Sequence, residues 1–308
     1  MKKVSIIIPL YNEEMNVDKL FSVLKKMVCQ IKEYYCIEII FVNDGSTDNT
    51  SKKLSELDNV FCETRIINFS RNFGHQAALK AGYDACTGDA IICLDGDLQN
   101  PPELIARMIE LWEMGNDIVL CRRKNAKQNS GFIKDASSRI FYKIINAISE
   151  VNIEPNVPDF RLIDKKVLTE LLKFKERELF FRGIISWMGF KKIILEYDHT
   201  ERENGKSSYN FFKMAKLALV GVTGFSTKPL YLSLIVGIII IFFDLLYIGY
   251  ALVVHYQGDV ISGWTSLIIA IMLFGGIQLF FLGILGLYIA RIFNQVKERP
   301  YYIVESYH

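Results

Sequence analysis

Two long apolar stretches close the chain and constrain everything that precedes them. Residues 229–254 read PLYLSLIVGIIIIFFDLLYIGYALVV, 26 residues with Asp244 as their one charge. As a helix they span roughly 39 Å, against a bilayer hydrocarbon core of about 30 Å. Residues 264–290 form a second stretch, interrupted only by Gln278, a few small polar residues and several glycines. HYQGDVISG (255–263) joins the two and carries no Lys or Arg, whereas Lys213, Lys216 and Lys228 precede the first and Arg291, Lys297 and Arg299 follow the second. Two such runs with so few charges are rare in soluble domains. They predict two transmembrane helices (229–254 and 264–290), with both termini and the tail 291–308 on the cytoplasmic side. Asp244, in mid-span, is expected to be protonated or to face another helix in an oligomer. Met1-Lys2-Lys3 is followed by only the short apolar run VSIIIPL, which reads as a strand and not as a signal peptide.

Residues 1–228 are different in kind, with 33 basic and 30 acidic side chains. An overall net charge of +2 gives no ground for nucleic acid as a partner. A hydrophobic fraction of 51% excludes disorder. The six cysteines, all within the first 121 residues, form no C-x-x-C pair and so no zinc site, and they read as reduced thiols in a cytosolic compartment. Apolar runs at Val4–Pro9, Ile37–Val42, Cys62–Phe69, Ala90–Leu94 and Asp117–Cys121 alternate with helical patterns at 13–34, 47–57, 75–85 and 101–112. This rhythm predicts an α/β fold with a mostly parallel, Rossmann-like sheet covered on both faces. Ligands on such sheets lie at the carboxyl ends of the strands. The polar clusters Tyr11-Asn12-Glu13, Asn43-Asp44-Gly45 and Asp95-Gly96-Asp97 fall there. Residues 131–149 and 207–226 have apolar residues at helical spacing with lysines and arginines among them, and are expected to be amphipathic interfacial helices. The stretch 122–143 holds seven Lys/Arg against Asp135 alone, which suits an anionic lipid headgroup.

The motif carrying most chemistry is LDGDLQNPP (94–102). A buried strand delivers Asp95 and Asp97 to one edge, and two carboxylates so placed can hold a hard divalent cation, Mg2+ or Mn2+, that also binds a diphosphate. No G-x-G-x-x-G is present, which disfavours hydride-transfer chemistry.

PLYNEE (9–14), VNDGSTDNT (42–50), RNFGHQAALKAG (71–82), DGDLQNPPE (95–103) and PDFRL (158–162) together resemble glycosyltransferase family 2, whose fold is GT-A. With Arg202 to Tyr209 and the two C-terminal stretches, the similarity covers nearly the whole chain. It narrows to polyprenyl-phosphate glycosyltransferases, most of all the prophage-type bactoprenol glucosyltransferases, and in the catalytic half it is similar to dolichol-phosphate mannosyltransferases. The resemblance implies that Pro9, Tyr11, Glu13, Asp44 and Asp95 bind the donor nucleotide. It implies that Asp95, Asp97 and Gln99 hold the metal, that Arg122, Arg139, Arg202 and Lys206 meet phosphates of donor or acceptor, and that Asp159 and Arg161, with Asp97, act at the reacting sugar. Arg123 competes with Arg122 for its role. Gly96 stands where relatives commonly have alanine, a difference expected to matter little. The implied reaction is inverting transfer of a hexose, glucose favoured, from a UDP-sugar to undecaprenyl phosphate at the cytoplasmic face of a bacterial inner membrane, by a multi-pass protein. GDP-mannose or UDP-N-acetylglucosamine as donor, or an inactive nucleotide-sugar-binding scaffold, are the alternatives. A processive synthase is disfavoured because Q-x-x-R-W is absent. The resemblance also implies a homo-oligomer, a tetramer, and a flippase downstream.

Overall fold

The structure, a computed structural model, describes residues 1–57, 62–124, 157–177, 179–197, 227–256 and 263–307. They fall into two compact units, one formed by the α/β elements together with residues 299–307, the other containing the two long C-terminal helices.

The first unit is built on strands β1 (Lys2–Leu10), β2 (Tyr35–Asn43), β3 (Glu63–Phe69), β4 (Ala90–Cys93), β5 (Ile118–Arg123), β6 (Arg161–Asp164), β7 (Lys192–Tyr197) and β8 (Val304–Tyr307). They form one sheet in the order β7-β5-β6-β4-β1-β2-β3-β8. The four central strands are parallel, β5 and β7 pair in parallel at one end, and β6 and β8 run antiparallel to their neighbours. The helices of this unit are α1 (Val17–Ile31), α2 (Thr50–Ser55), α3 (His75–Ala85), α4 (Leu104–Glu113), α5 (Lys165–Leu171) and α6 (Phe181–Trp187). The mostly parallel α/β sheet expected from the alternation is therefore present. The sequence pattern gives no sign of β6, β7, α5, α6 or β8.

β1 is continuous apolar sequence because both of its faces are covered. Ile6 and Ile8 join the core that α1 builds with Leu20, Leu24, Met27 and Val28, spaced three and four apart to make one helix face. Ile7 points the other way, under α3, where Gly82 brings the helix so close that a Cβ there would lie 2.2 Å from Ile7 Cγ2. α1 begins later than the helical pattern because residues 13–16 form a turn, with Asn16 and Val17 N–H both donating to Glu13 O.

At the amino ends of the strands sits a polar knot. Glu38 on β2 is fully buried and accepts from Ser5 Oγ, Thr87 N–H and Thr87 Oγ1, with Lys3 at 3.3 Å and Arg65 at 3.2 Å. Both oxygens of this carboxylate have donors and the two cations stand beside it, which is what allows a charge to be buried there. The knot locks one end of the sheet and leaves the carboxyl end for chemistry.

The second unit contains α7 (Lys228–Tyr256, 29 residues) and α8 (Trp264–Val296, 33 residues). Their apolar side chains are turned outward, with Leu279 and Phe280 among many that are largely exposed. Among the described residues, one stretch, Leu273–Val296, is long and apolar enough to cross a membrane, and a shorter apolar stretch, Ser233–Tyr247, lies within α7. The segments 131–149 and 207–226 lie outside the described residues, and with them Arg139, Arg202 and Lys206.

Candidate active site

A cavity of about 360 Å³ opens at the carboxyl ends of β1, β2 and β4, lined by Pro9, Tyr11, Glu13, Asp44, His75, Asp95 and Asp97 among others. Six residues expected in a site from the sequence, scattered over 89 positions, thus meet in one depression. The parallel strands deliver them, since β1, β2 and β4 all end at that edge.

One wall is two loops laced together. Asn12 takes a left-handed backbone (φ 54°), held by its own N–H donating to Ser46 Oγ and its side-chain oxygen accepting from Thr47 N–H at 2.8 Å. Glu13 N–H donates to Thr50 Oγ1 and Glu14 N–H to Asp48. Asp44 accepts from Phe73 N–H at 2.7 Å and from Gly74 N–H, so it pins the loop that leads into α3. Burial raises the Asp44 carboxyl above its ordinary value, opposed by those two N–H groups.

The opposite wall carries the acidic pair. Asp95 Oδ2 accepts from Asn100 Nδ2 at 2.9 Å, and Asn100, fully buried, accepts in turn from Tyr197 Oη at 2.6 Å. Tyr197 Oη also receives Arg123 Nε at 3.2 Å, and Arg123 Nη2 donates to Gln99 Oε1 at 3.3 Å. Asp97 accepts from Gln99 N–H. Leu98 between them is left-handed (φ 58°), an unusual conformation for a leucine that turns the loop back on itself. A Cβ on Gly96 would fall 2.2 Å from Leu10 Cδ2, so any side chain at this position would require the Leu10 side chain to shift. Arg122 and Arg123 alternate along β5, as strand neighbours do. Arg122 pairs with Glu196 at 2.8 Å, while Arg123 joins the Gln99 and Tyr197 network.

A charge cluster adjoins the cavity through His75. Asp159 is nearly buried and contacts Arg161, Arg182 through Nε (3.2 Å) and Nη2 (3.0 Å), Gln76 Nε2 (3.5 Å) and His75 Nε2 (3.4 Å). His75 Nε2 is also 3.7 Å from Asp95 Oδ1, so the imidazole stands between the two carboxylates. Loss of water around the ring lowers the His75 pKa below its ordinary value, helped by Arg182 and Arg161 and opposed by Asp95. Arg161 is 1% exposed with its guanidinium spent on Asp159, and it does not line the cavity. Sequence reasoning passed over His75, Gln76, Asn100 and Arg182. Three of them lie in or beside motifs already singled out, but only the fold shows what each one faces.

The donor set can be tested for a divalent cation. Among the described residues no three His, Cys, Asp or Glu side chains are grouped to hold a metal by themselves. Asp95 and Asp97 offer hard oxygens on the cavity wall. A cation of the magnesium type is held in this way, by one or two carboxylates with the remaining positions left to substrate phosphates and water. The residues fit.

The sequence model of glycosyl transferase family 2 matches residues 5–172. The chain is 42% identical to the uncharacterized glycosyltransferase YkcC of Bacillus subtilis (strain 168) over 303 residues, 98% of this chain and 93% of that one. It is 38% identical to the bactoprenol glucosyl transferase of Shigella phage SfX over 305 residues, 99% of each. Among solved structures, the mannosyltransferase PcManGT from Pyrobaculum calidifontis in complex with GDP-Man and Mn2+ covers 72% of this chain and 63% of its own, with a TM-score of 0.50 and 15% identity, a likeness of fold.

Proposed function

The chain belongs to glycosyl transferase family 2 and is a glycosyltransferase, and on that premise we propose that it transfers a hexose, glucose favoured, from a UDP-sugar to undecaprenyl phosphate at the cytoplasmic face of a membrane. The observation that carries this reading is the convergence of Tyr11, Glu13 and Asp44 on one wall with Asp95 and Asp97 on the other. The first set suits a nucleoside, and the second suits the diphosphate beside it. The near full-length relative that acts as a bactoprenol glucosyl transferase supports the acceptor class.

In the proposed reaction a phosphate oxygen of the acceptor attacks the anomeric carbon from the side opposite the nucleotide. The C1–O bond to the acceptor phosphate forms as the C1–O bond to the diphosphate breaks, its electron pair leaving with UDP. A divalent ion held by Asp95 and Asp97, with Gln99 beside them, would neutralise the departing diphosphate. The chain's residues do the positioning. Asn100 fixes the Asp95 carboxylate from behind, and Arg123 holds Gln99 in place. No strong general base is needed, because a phosphate monoester has its second pKa at about 6 and is largely dianionic at neutral pH. The apolar faces of α7 and α8 support two membrane crossings, and Lys228, Arg291, Lys297 and Arg299 at their ends favour a cytoplasmic catalytic unit. Arg139, Arg202 and Lys206 are proposed to meet phosphates beside Arg122 or Arg123, and the enzyme to work as a homo-oligomer upstream of a flippase.

The test is purified protein in detergent with undecaprenyl phosphate and Mg2+, offered radiolabelled UDP-glucose, UDP-N-acetylglucosamine and GDP-mannose separately. Label should enter the organic phase from UDP-glucose, and both chelation of the metal and Asp97→Ala should abolish it. Label from another donor would rename the sugar. Nucleotide binding without lipid labelling from any donor would favour the scaffold reading.

A further inference from the structure

We propose that Arg182 receives the acceptor phosphate, held in place by the buried ion pair of Asp159 and Arg161. The proposal rests on the transferase reading and adds to it a binding residue that no motif contains.

The charges of the cluster do not cancel. Arg161 and Arg182 share the one carboxylate of Asp159, and the nearby Asp95 is the acid that would hold the cation, so with that site filled one positive charge is left over. Arg161 is 1% exposed, so the surplus can meet a ligand only at Arg182, whose side chain is 34% exposed. Arg182 engages Asp159 with Nε and Nη2, the two nitrogens of one edge of the guanidinium. Its Nη1 makes no hydrogen bond among the described residues, and those two N–H groups suit a phosphate oxygen.

The position of the arginine fits the chemistry. Two anionic groups must come together in this reaction, a diphosphate and an attacking phosphate. The acidic pair with its cation serves the first. The second needs a cation elsewhere, on the far side of the sugar for inversion. His75 lines the cavity and stands between Asp95 and Asp159, and Arg182 lies beyond it on Asp159. The arginine is also fixed before any ligand arrives. Gln76 on α3 donates to Asp159 and accepts from Phe181 N–H, at the first residue of the helix that carries Arg182. Phe181 packs edge-on against Tyr83 of the same α3. A donor held in advance costs little reorganisation at the moment of reaction. In this arrangement Asp159 is a positioning residue. Its carboxylate is already engaged by the guanidiniums of Arg161 and Arg182, which assigns it the orienting role.

The test uses the full chain in detergent with Arg182→Gln and Arg182→Lys. Transfer kinetics are measured against undecaprenyl phosphate and against the donor separately. UDP binding to each variant reports the integrity of the site. In a second arm, a short isoprenyl phosphate and the corresponding alcohol are titrated into the UDP-bound protein. Arg182→Gln should raise the KM for undecaprenyl phosphate about ten- to a hundredfold, the worth of a charged hydrogen-bond pair, with donor KM and UDP binding within about twofold of the parent. Arg182→Lys should fall between. The isoprenyl phosphate should bind the parent and not Arg182→Gln, and the alcohol should bind both equally weakly. An acceptor KM unchanged in Arg182→Gln, a rise in donor KM in its place, or loss of UDP binding in both variants would overturn the proposal. A parent protein that transfers sugar to no polyprenyl phosphate defeats the transferase reading instead, and the titration arm still reports on the arginine.

Discussion

Gly45 turns the chain from β2 toward the loop that feeds α2, at φ +62°, with the backbone of Arg71 pressed against it. A Cβ there would lie 2.2 Å from Arg71 C and 2.6 Å from Asn72 N. Backbone cannot swing aside as a side-chain tip can. Gly45→Ala should therefore cost about 1–3 kcal/mol from the left-handed conformation alone and more from the clash. Because Asn72 and Gly74 line the cavity, the displacement should also raise the donor KM, and a thermal melt with donor kinetics on the same preparation reads both. Gly96→Ala is the contrast, since its nearest neighbour is the end of a leucine side chain, and its melt should shift far less. The thiols give a pH prediction. Burial pushes the Cys62 and Cys93 thiols up to about 11 and those of Cys86 and Cys121 up to about 12, against an ordinary value of 9.0. A folded pKa above the unfolded one gives stability that is whole below pH 9 and is lost as the pH rises toward 11 to 12. Removing one such thiol, as in Cys121→Ala, should flatten the fall in melting temperature between pH 9 and 11 relative to the parent. Cys29 and Cys36, both exposed, should react first with a thiol reagent at pH 8.

At the scale of elements, the strand that closes the sheet's far edge comes from the last residues of the chain. β8 pairs antiparallel with β3, Tyr302 stacks on Phe69 at 5.0 Å with planes 11° apart, and Tyr302 Oη donates to Asp84 at 3.0 Å. Without this cover β3 would be an open edge with unpaired backbone groups. Tyr302→Phe should cost about 0.5–1.5 kcal/mol, the worth of one hydrogen bond, and Tyr302→Ala clearly more because the stack goes too. Amide hydrogen exchange along β3 should speed up in the order parent, Phe, Ala. β8 also shows what the sequence could not reveal. VESY has four residues with charge in the middle, and its partner lies more than 230 positions away. The central strands were legible because they carry unbroken apolar runs, long in β1 and β2 and short but wholly buried in β4. β6, RLID, has a charge at each end and β7 is only half-buried, so neither leaves an apolar signature. The site divides in the same way. Asp95, Asp97 and Asp44 stand at strand ends, where position along the chain already implies an edge. His75, Gln76 and Arg182 act from helices, whose surfaces carry such residues everywhere, and only the approach of α3 and α6 to Asp159 distinguishes them.

For the molecule as a whole, the sheet itself sets a rule on membrane crossing. β3 and β8 are hydrogen-bonded neighbours in one sheet, so residues 63–69 and 304–307 lie on the same side of any bilayer. Between β7 and β8 the chain must then cross an even number of times. Among the described residues Leu273–Val296 alone is long and apolar enough by its composition, and a single crossing there would put β8 on the wrong side of the sheet it completes. If that segment spans, another must span with it, and α7 is the candidate, 29 residues long with Asp244 as its one acid. The cost of placing one carboxyl in the bilayer, about 2.5–3.5 kcal/mol for a charged aspartate by insertion scales and less if it is protonated or paired, can be met by a helix rich in Leu, Ile, Phe and Val. Reporter fusions test the rule directly. Alkaline phosphatase, active only outside the cytoplasm, should be active when inserted within 257–262 and inactive when fused after His308, whereas a cytoplasmic fluorescent reporter should show the reverse. Phosphatase activity at the C-terminus would mean one crossing, and with it a β8 that cannot pair with β3. Inactivity at both positions would mean that neither helix crosses, leaving α7 and α8 to lie on the membrane surface or to pack against copies of themselves. Asp244→Leu refines the result. If the acid only adds to the cost of insertion, the variant keeps its topology and its activity. If the acid holds a neighbouring helix in an oligomer, the topology stays but the assembly measured by light scattering in detergent becomes smaller.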